Sequence, residues 1–325
     1  MTTVDAAPDP APGAEPQDDL RGELRTELTA ALQRVPELAG RELTFVALSG
    51  GITNRNFLVS TPDGTKLVLR LAGNDTHLLG ISREVEHAAT VAAAGVGVGP
   101  EVVAMIRPEG YLVTRFIEGR PVPEPEMRQP EHLVEAADAL RRVHNGPAIP
   151  GLFVPFRIVE AYRALALSRG VTIPVEYELA QAIARRIELA CLTAPVELRP
   201  CHNDLLNANF IHDGSRLRIV DWEYAGMGDP AFDLGNFSIN QELDADQDAA
   251  LLRAYAGEVR AAAIARIAIM RVLSDFREAM WGVLQQGVST LDFDFQNYAA
   301  EHFDRLLSVA TRPSFERALT DAAAG

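Results

Sequence analysis

The sequence predicts a two-lobed α/β protein of the α+β kind, with a β-rich first lobe and a mainly helical second lobe. Three observations predict it. A chain of 325 residues that is 47% hydrophobic can bury a large core and share it between two lobes. The first third alternates in strand fashion around glycine-bearing turns, as in LTFVALSGGITNRNFLVS and TPDGTKLVLRLAG. The remainder carries helical spacing, as at Leu133, Ala137, Leu140 and Val143, around one short hairpin that begins near Asn209. The expected divisions are a disordered acidic Ala/Pro tail over 1–19, a first lobe over 20–118, and a second lobe over 119–325.

Bulk properties exclude several classes. A net charge of −15 disfavours nucleic acid and anionic membrane as partners and favours a cationic ligand. Two cysteines, Cys191 and Cys201, give neither a disulfide framework nor a metal cluster, which fits reduced thiols and a cytoplasmic setting. No run of about 18 apolar residues is present, so no membrane insertion is expected. The first 19 residues hold five acids and no Lys or Arg, unlike a signal peptide.

In the first lobe a helix is expected over about 20–38. Gly50 and Gly51 then allow close approach of backbone to a ligand, with Ser49, Thr53 and Asn54 supplying polar groups. A strand follows over Lys66 to Leu71 and includes Arg70. A helix is expected from about Ser82 to Ala94; Glu84 and Glu86 lie about 200° apart on it, so one of them faces Arg70. Tyr111 to Gly119 reads as a strand opening into the connection between lobes.

The second lobe is built around HNDLLNANFIHDGSRLRIVDWEYAG, His202 to Gly226. Asp213-Gly214-Ser215 is a turn between two short strands. If His212 faces Leu217, then Asn209 faces Val220 and Asp221 stands one step away. Two oxygen ligands twelve residues apart in sequence thus come within about one strand spacing, roughly 5 Å. An amide and a carboxylate are hard oxygen donors suited to Mg²⁺ that shares its shell with phosphates. Asp204, in the loop feeding the hairpin, lies beside the metal without ligating it. A carboxylate that accepts a hydroxyl proton next to an Asn/Asp metal pair is the layout of phosphoryl transfer.

This ordered set resembles the small-molecule branch of the protein kinase-like fold, the choline/ethanolamine kinases and aminoglycoside phosphotransferases. The resemblance covers roughly residues 40 to 310. It implies an ATP- and Mg²⁺-dependent kinase for a small alcohol, most closely an amino alcohol of the choline/ethanolamine type. By the same resemblance Ser49, Gly50, Gly51, Thr53 and Asn54 form the nucleotide loop. Arg70, positioned by Glu84, clamps phosphates, and backbone groups of Arg115 and Ile117 meet adenine. Asp204 is the catalytic base, Asn209 and Asp221 hold the metal, and Asp233 and His202 are structural. Glu223, Glu242, Asp275, Glu278 and Trp281 are the expected substrate residues. Where eukaryotic choline kinases have two tryptophans three residues apart, this chain has Glu278 and Trp281, which weakens a trimethylammonium cage and favours a primary amine. Other acceptors (an aminoglycoside, a sugar, a thiamine-like compound) stay open, as do a silent nucleotide- or amine-binding protein and a homodimer.

Overall fold

The computed structural model describes residues 22–48, 54–71 and 79–325. Helix α1 (Gly22–Leu32) stops short of the expected end because Pro36, which has no N–H to donate, opens a separate 3-10 turn over Pro36–Leu38. The first-lobe sheet contains β1 (Thr44–Leu48), β2 (Arg55–Ser60), β3 (Lys66–Leu71), β4 (Val102–Ile106) and β5 (Tyr111–Arg115). Its order is β1-β2-β3-β5-β4, with every neighbouring pair antiparallel. The two-residue alternation of β3 buries Leu67, Leu69 and Leu71 with Leu28 and Leu32 of α1, and turns Val68 and Arg70 to the opposite face.

Helix α2 (Arg83–Gly95) is capped by Ser82, whose hydroxyl accepts from the Val85 N–H. Its buried face is Glu86, Ala89, Thr90 and Ala93. The second lobe opens with β6 (Arg120–Pro121), α3 (Glu124–Met127), α4 (Pro130–His144), α5 (Pro155–Ser168) and α6 (Glu176–Thr193). It continues through β7 (Arg199–Cys201), β8 (Phe210–His212), β9 (Leu217–Ile219) and β10 (Gly226–Gly228). Helices α7 (Pro230–Asn240), α8 (Ala245–Ala256), α9 (Ala261–Val288), α10 (Phe295–Ala310) and α11 (Pro313–Ala324) complete it.

Two features place the hairpin. Strand β6, just past the connection between lobes, pairs with β8, and β8 with β9. Gly119 permits this approach, since a Cβ there would lie 2.6 Å from the His212 carbonyl oxygen. On the far side α9, 28 residues long, is buried for most of its length among α5, α6, α10 and α11. Gly235 of α7 meets it closely, because a Cβ there would stand 2.8 Å from that of Met270. The crossing fixes the position of α9 two turns further along, at Arg277. Among the described residues, no helix is long and apolar enough to cross a membrane.

Candidate active site

The hairpin register is the expected one. His212 faces Leu217, Phe210 faces Ile219, and the Val220 N–H donates to the Asn209 carbonyl at 3.0 Å. Asn209 and Asp221 therefore stand at one open end of the pair and both line a cleft of about 430 Å³ beneath the first-lobe sheet. Val68, Arg70, Thr114, Phe116 and Ile117 line it from the other side. Asn203 and Asp221 are in the left-handed region, at φ 69° and 68°, which costs energy for residues that carry a Cβ. Such outliers cluster where a side chain must be aimed.

The loop carrying Asp204 is held by its backbone. Asp233 of α7 accepts from the His202 N–H (2.8 Å) and the Asn203 N–H (2.6 Å), and Asn236, one turn on, accepts from the Leu205 N–H. Burial works against the Asp233 charge, yet the His144 ring at 2.9 Å and these donors hold its carboxyl below the usual range. His202 bonds the Val220 carbonyl (2.9 Å) through Nε2 and accepts the Asp204 N–H on Nδ1, and burial lowers its pKa, which keeps the ring neutral. These are structural duties.

Asp204 itself is buried. Burial raises its pKa to about 7; Arg277 opposes that rise, and the charges of Glu278 and Asp221 add to it. Arg277 Nη2 lies 3.0 Å from Asp204 Oδ1 and donates to the Asn203 carbonyl at 2.6 Å. Oδ2 of Asp204 has no partner among the described residues.

Arg70 Nε stands 3.0 Å from Glu86 Oε1, and its Nη2 meets Asp221 and Glu223, the latter at 3.3 Å. Burial would lower the Arg70 pKa, but the charges of Asp221, Glu86 and Glu223 raise it, so it is a fixed cation. The Asn209 amide nitrogen donates to the Asp204 carbonyl at 2.8 Å, which leaves its oxygen available as a ligand atom. That oxygen and the Asp221 carboxylate, whose side chain is 25% exposed, make a hard-oxygen pair that fits magnesium.

Several expected site residues are placed differently. Glu84 does not meet Arg70: it is exposed and paired with Arg107, because the buried stripe of α2 runs through Glu86, Ala89 and Ala93. The phase of those alanines was the available signal. We expect Glu86→Gln to raise the KM for ATP and lower kcat/KM at least tenfold, with Glu84→Gln within about twofold of wild type, as steady-state kinetics would show.

Glu242 is exposed and pairs with Arg128 at 3.0 Å, beyond the far end of α7, so it contributes nothing to the cleft. Asp275 faces α10, where Arg305 and His302 engage its carboxylate, so that acid is paired within the helical core rather than beside Asp204. Glu223 accepts from Asn54 at 2.8 Å and stands 3.3 Å from Arg70, on the Arg70 side of the site. The Asn54 amide is thereby committed to Glu223 and to Arg83 at 3.2 Å.

At the connection between lobes, the Arg115 guanidinium pairs with Glu37 and its N–H donates to the Glu101 carbonyl, so that N–H is not available to a base. The Ile117 N–H has no acceptor among the described residues. Ser49, Gly50, Gly51 and Thr53 lie outside the described residues.

Glu278 and Trp281 do border the loop that carries Asp204, Glu278 through Arg277. Glu278 Oε1 is 2.8 Å from Arg277 Nη1, its Oε2 accepts from the Tyr298 hydroxyl at 2.9 Å, and the Trp281 indole N–H donates to the Tyr224 hydroxyl at 3.1 Å. Arg277, Tyr224 and Tyr298 are residues the sequence did not single out.

A family model, the phosphotransferase enzyme family (APH), matches residues 44–266. Protein LicA of Haemophilus influenzae is 28% identical over 211 residues, covering 64% of this chain but only 62% of its own length. Ethanolamine kinase 2 of Rattus norvegicus is 27% identical over 295 residues, 81% of this chain and 75% of that one. The crystal structure of a choline/ethanolamine kinase family protein from Mesorhizobium loti superposes with a TM-score of 0.80 at 33% identity, covering 93% of this chain and all of that one. On a family model that spans most of the chain and a relative matched along its whole length, the protein belongs to the choline/ethanolamine kinase family of phosphotransferases.

Proposed function

We propose that this phosphotransferase moves the γ-phosphoryl group of ATP to the hydroxyl of a small amino alcohol, with Mg²⁺. The observation that carries the reading is the shared cleft wall of Asn209 and Asp221, directly after a buried Asp204 with one unpaired carboxylate oxygen. What Mg²⁺ would supply at that wall is neutralisation of charge on the transferring phosphoryl group. Asn209 Oδ1 and Asp221 would hold the ion. Arg70, steadied by Glu86, would clamp the phosphates, and the Ile117 N–H is available to the base.

Asp204 takes the proton of the acceptor hydroxyl on Oδ2, since Arg277 occupies Oδ1. Backbone bonds to Asp233 and Asn236 keep the carboxylate in place during transfer, so little reorganisation is required. The choice of an amino alcohol rests on the likeness to ethanolamine kinase 2 and to a choline/ethanolamine kinase family protein, and on the acidic, aromatic surroundings of Asp204. A phosphotransfer panel read by ³¹P NMR, with ethanolamine, choline, an aminoglycoside, a sugar and thiamine, tests it. Phosphorylated amino alcohol is the expected product; turnover confined to the other alcohols would overturn the reading.

A further inference from the structure

Beside Asp204 the structure holds a compact set of groups that suits a small organic cation. The face of Tyr224, the edge of Trp281, the hydroxyl of Tyr298 and the carboxylate of Glu278 converge there. An aromatic face with neighbouring carboxylates attracts ammonium groups by cation–π and ionic interaction. That place already has a tenant. The Arg277 guanidinium carbon sits 4.9 Å from the Tyr224 ring centroid, and its two terminal nitrogens serve Glu278, Asp204 and the Asn203 carbonyl. Arg277 is 1% exposed and Glu278 4%.

We propose that Arg277 is the specificity-determining residue of the acceptor site: it fills the seat on Tyr224 that a quaternary ammonium would take, and restricts the acceptor to alcohols bearing a primary ammonium. This deepens the amino-alcohol reading above and rests on it.

Two arguments support the assignment. A trimethylammonium group has no N–H, so on displacing Arg277 it would leave Asp204 Oδ1 and the Asn203 carbonyl without their donor in a buried site, and Glu278 without the guanidinium it pairs with. The displaced guanidinium, still tethered to α9, would compete for the seat at high effective concentration. A primary ammonium meets neither obstacle. It donates hydrogen bonds to the remaining lone pairs of Glu278 and need not enter the Tyr224 face. The charges agree: two carboxylates, Asp204 and Glu278, face one guanidinium, leaving about one negative charge for a small monocation to balance.

The test has a binding arm independent of turnover. Tetramethylammonium chloride is titrated calorimetrically into the full-length wild type, Arg277→Ala and Arg277→Lys, with folding checked by circular dichroism. Arg277→Ala is expected to bind the probe at least tenfold more tightly than wild type, and Arg277→Lys, which keeps the tethered charge, no more tightly than wild type. Should Arg277→Ala fail to fold, Arg277→Gln, uncharged but still a hydrogen-bond donor, carries the same comparison.

In the kinetic arm the ratio of kcat/KM for choline to that for ethanolamine is expected to rise at least tenfold in the neutral variant. Wild type that binds tetramethylammonium as tightly as the neutral variant overturns the proposal, as does wild type that uses choline as well as ethanolamine. If neither alcohol is phosphorylated, the amino-alcohol reading falls, and the tetramethylammonium titration alone decides whether Arg277 holds the seat.

Discussion

Replacing Asp204 by Asn is expected to lower kcat by about 10²- to 10⁴-fold, the usual worth of a positioned general base, while nucleotide affinity stays within about twofold. Asn keeps the shape and can still meet Arg277, so the change removes proton acceptance with little loss of packing. Single-turnover kinetics alongside equilibrium nucleotide binding separate the two quantities. Retained turnover would remove Asp204 from the role.

The same residue sets a pH dependence. Its carboxyl, raised to about 7 by burial, must be ionised to accept a proton. Activity therefore falls as pH drops through that value, because the base becomes protonated, and is fully present above it. The kcat/KM profile, which reports groups of the free enzyme, should show its acid limb near neutrality. A flat profile between pH 5 and pH 8 would contradict the assignment.

Replacing Asp221 by Ala is the second large effect. Loss of one of the two proposed metal ligands should cost several kcal/mol of transition-state stabilisation, about a thousandfold in kcat/KM. Arg70 keeps Glu86 and Glu223 as partners, so the lobes should hold their arrangement and the loss should be catalytic rather than structural. The discriminating readout is a Mg²⁺ titration at saturating ATP: the variant should need far more metal to reach its residual rate. Unchanged metal dependence would point to a different ligand set.

How far the sequence was readable follows from the range of each signal. The hairpin and its register were legible because both strands and the turn lie within one 14-residue stretch, and a two-residue period then dictates which side chains share an end. The strand over Lys66–Leu71 and the helix over Pro130–His144 were legible for the same reason. Glu86 against Glu84 was a question of helical phase, and the buried stripe through Ala89 and Ala93 decides it.

Asp275 and Glu278 show the limit of that method. They lie three residues apart on one helix, yet one meets Arg305 and His302 of α10 and the other meets Arg277 and Tyr298. Which neighbour neutralises a buried acid depends on tertiary packing, here on a long helix fixed by a close crossing at Gly235. The role of Arg277 was hidden for the same reason: its partners Asn203 and Asp204 are more than seventy residues away in sequence.

The most direct test of the account is a crystal structure with Mn²⁺ and a non-hydrolysable ATP analogue, with the metal located by its anomalous signal. The account predicts a peak bound by Asn209 Oδ1 and the Asp221 carboxylate, with Asp204 adjacent but unligated. A metal held by other residues, or one directly ligated by Asp204, would contradict it.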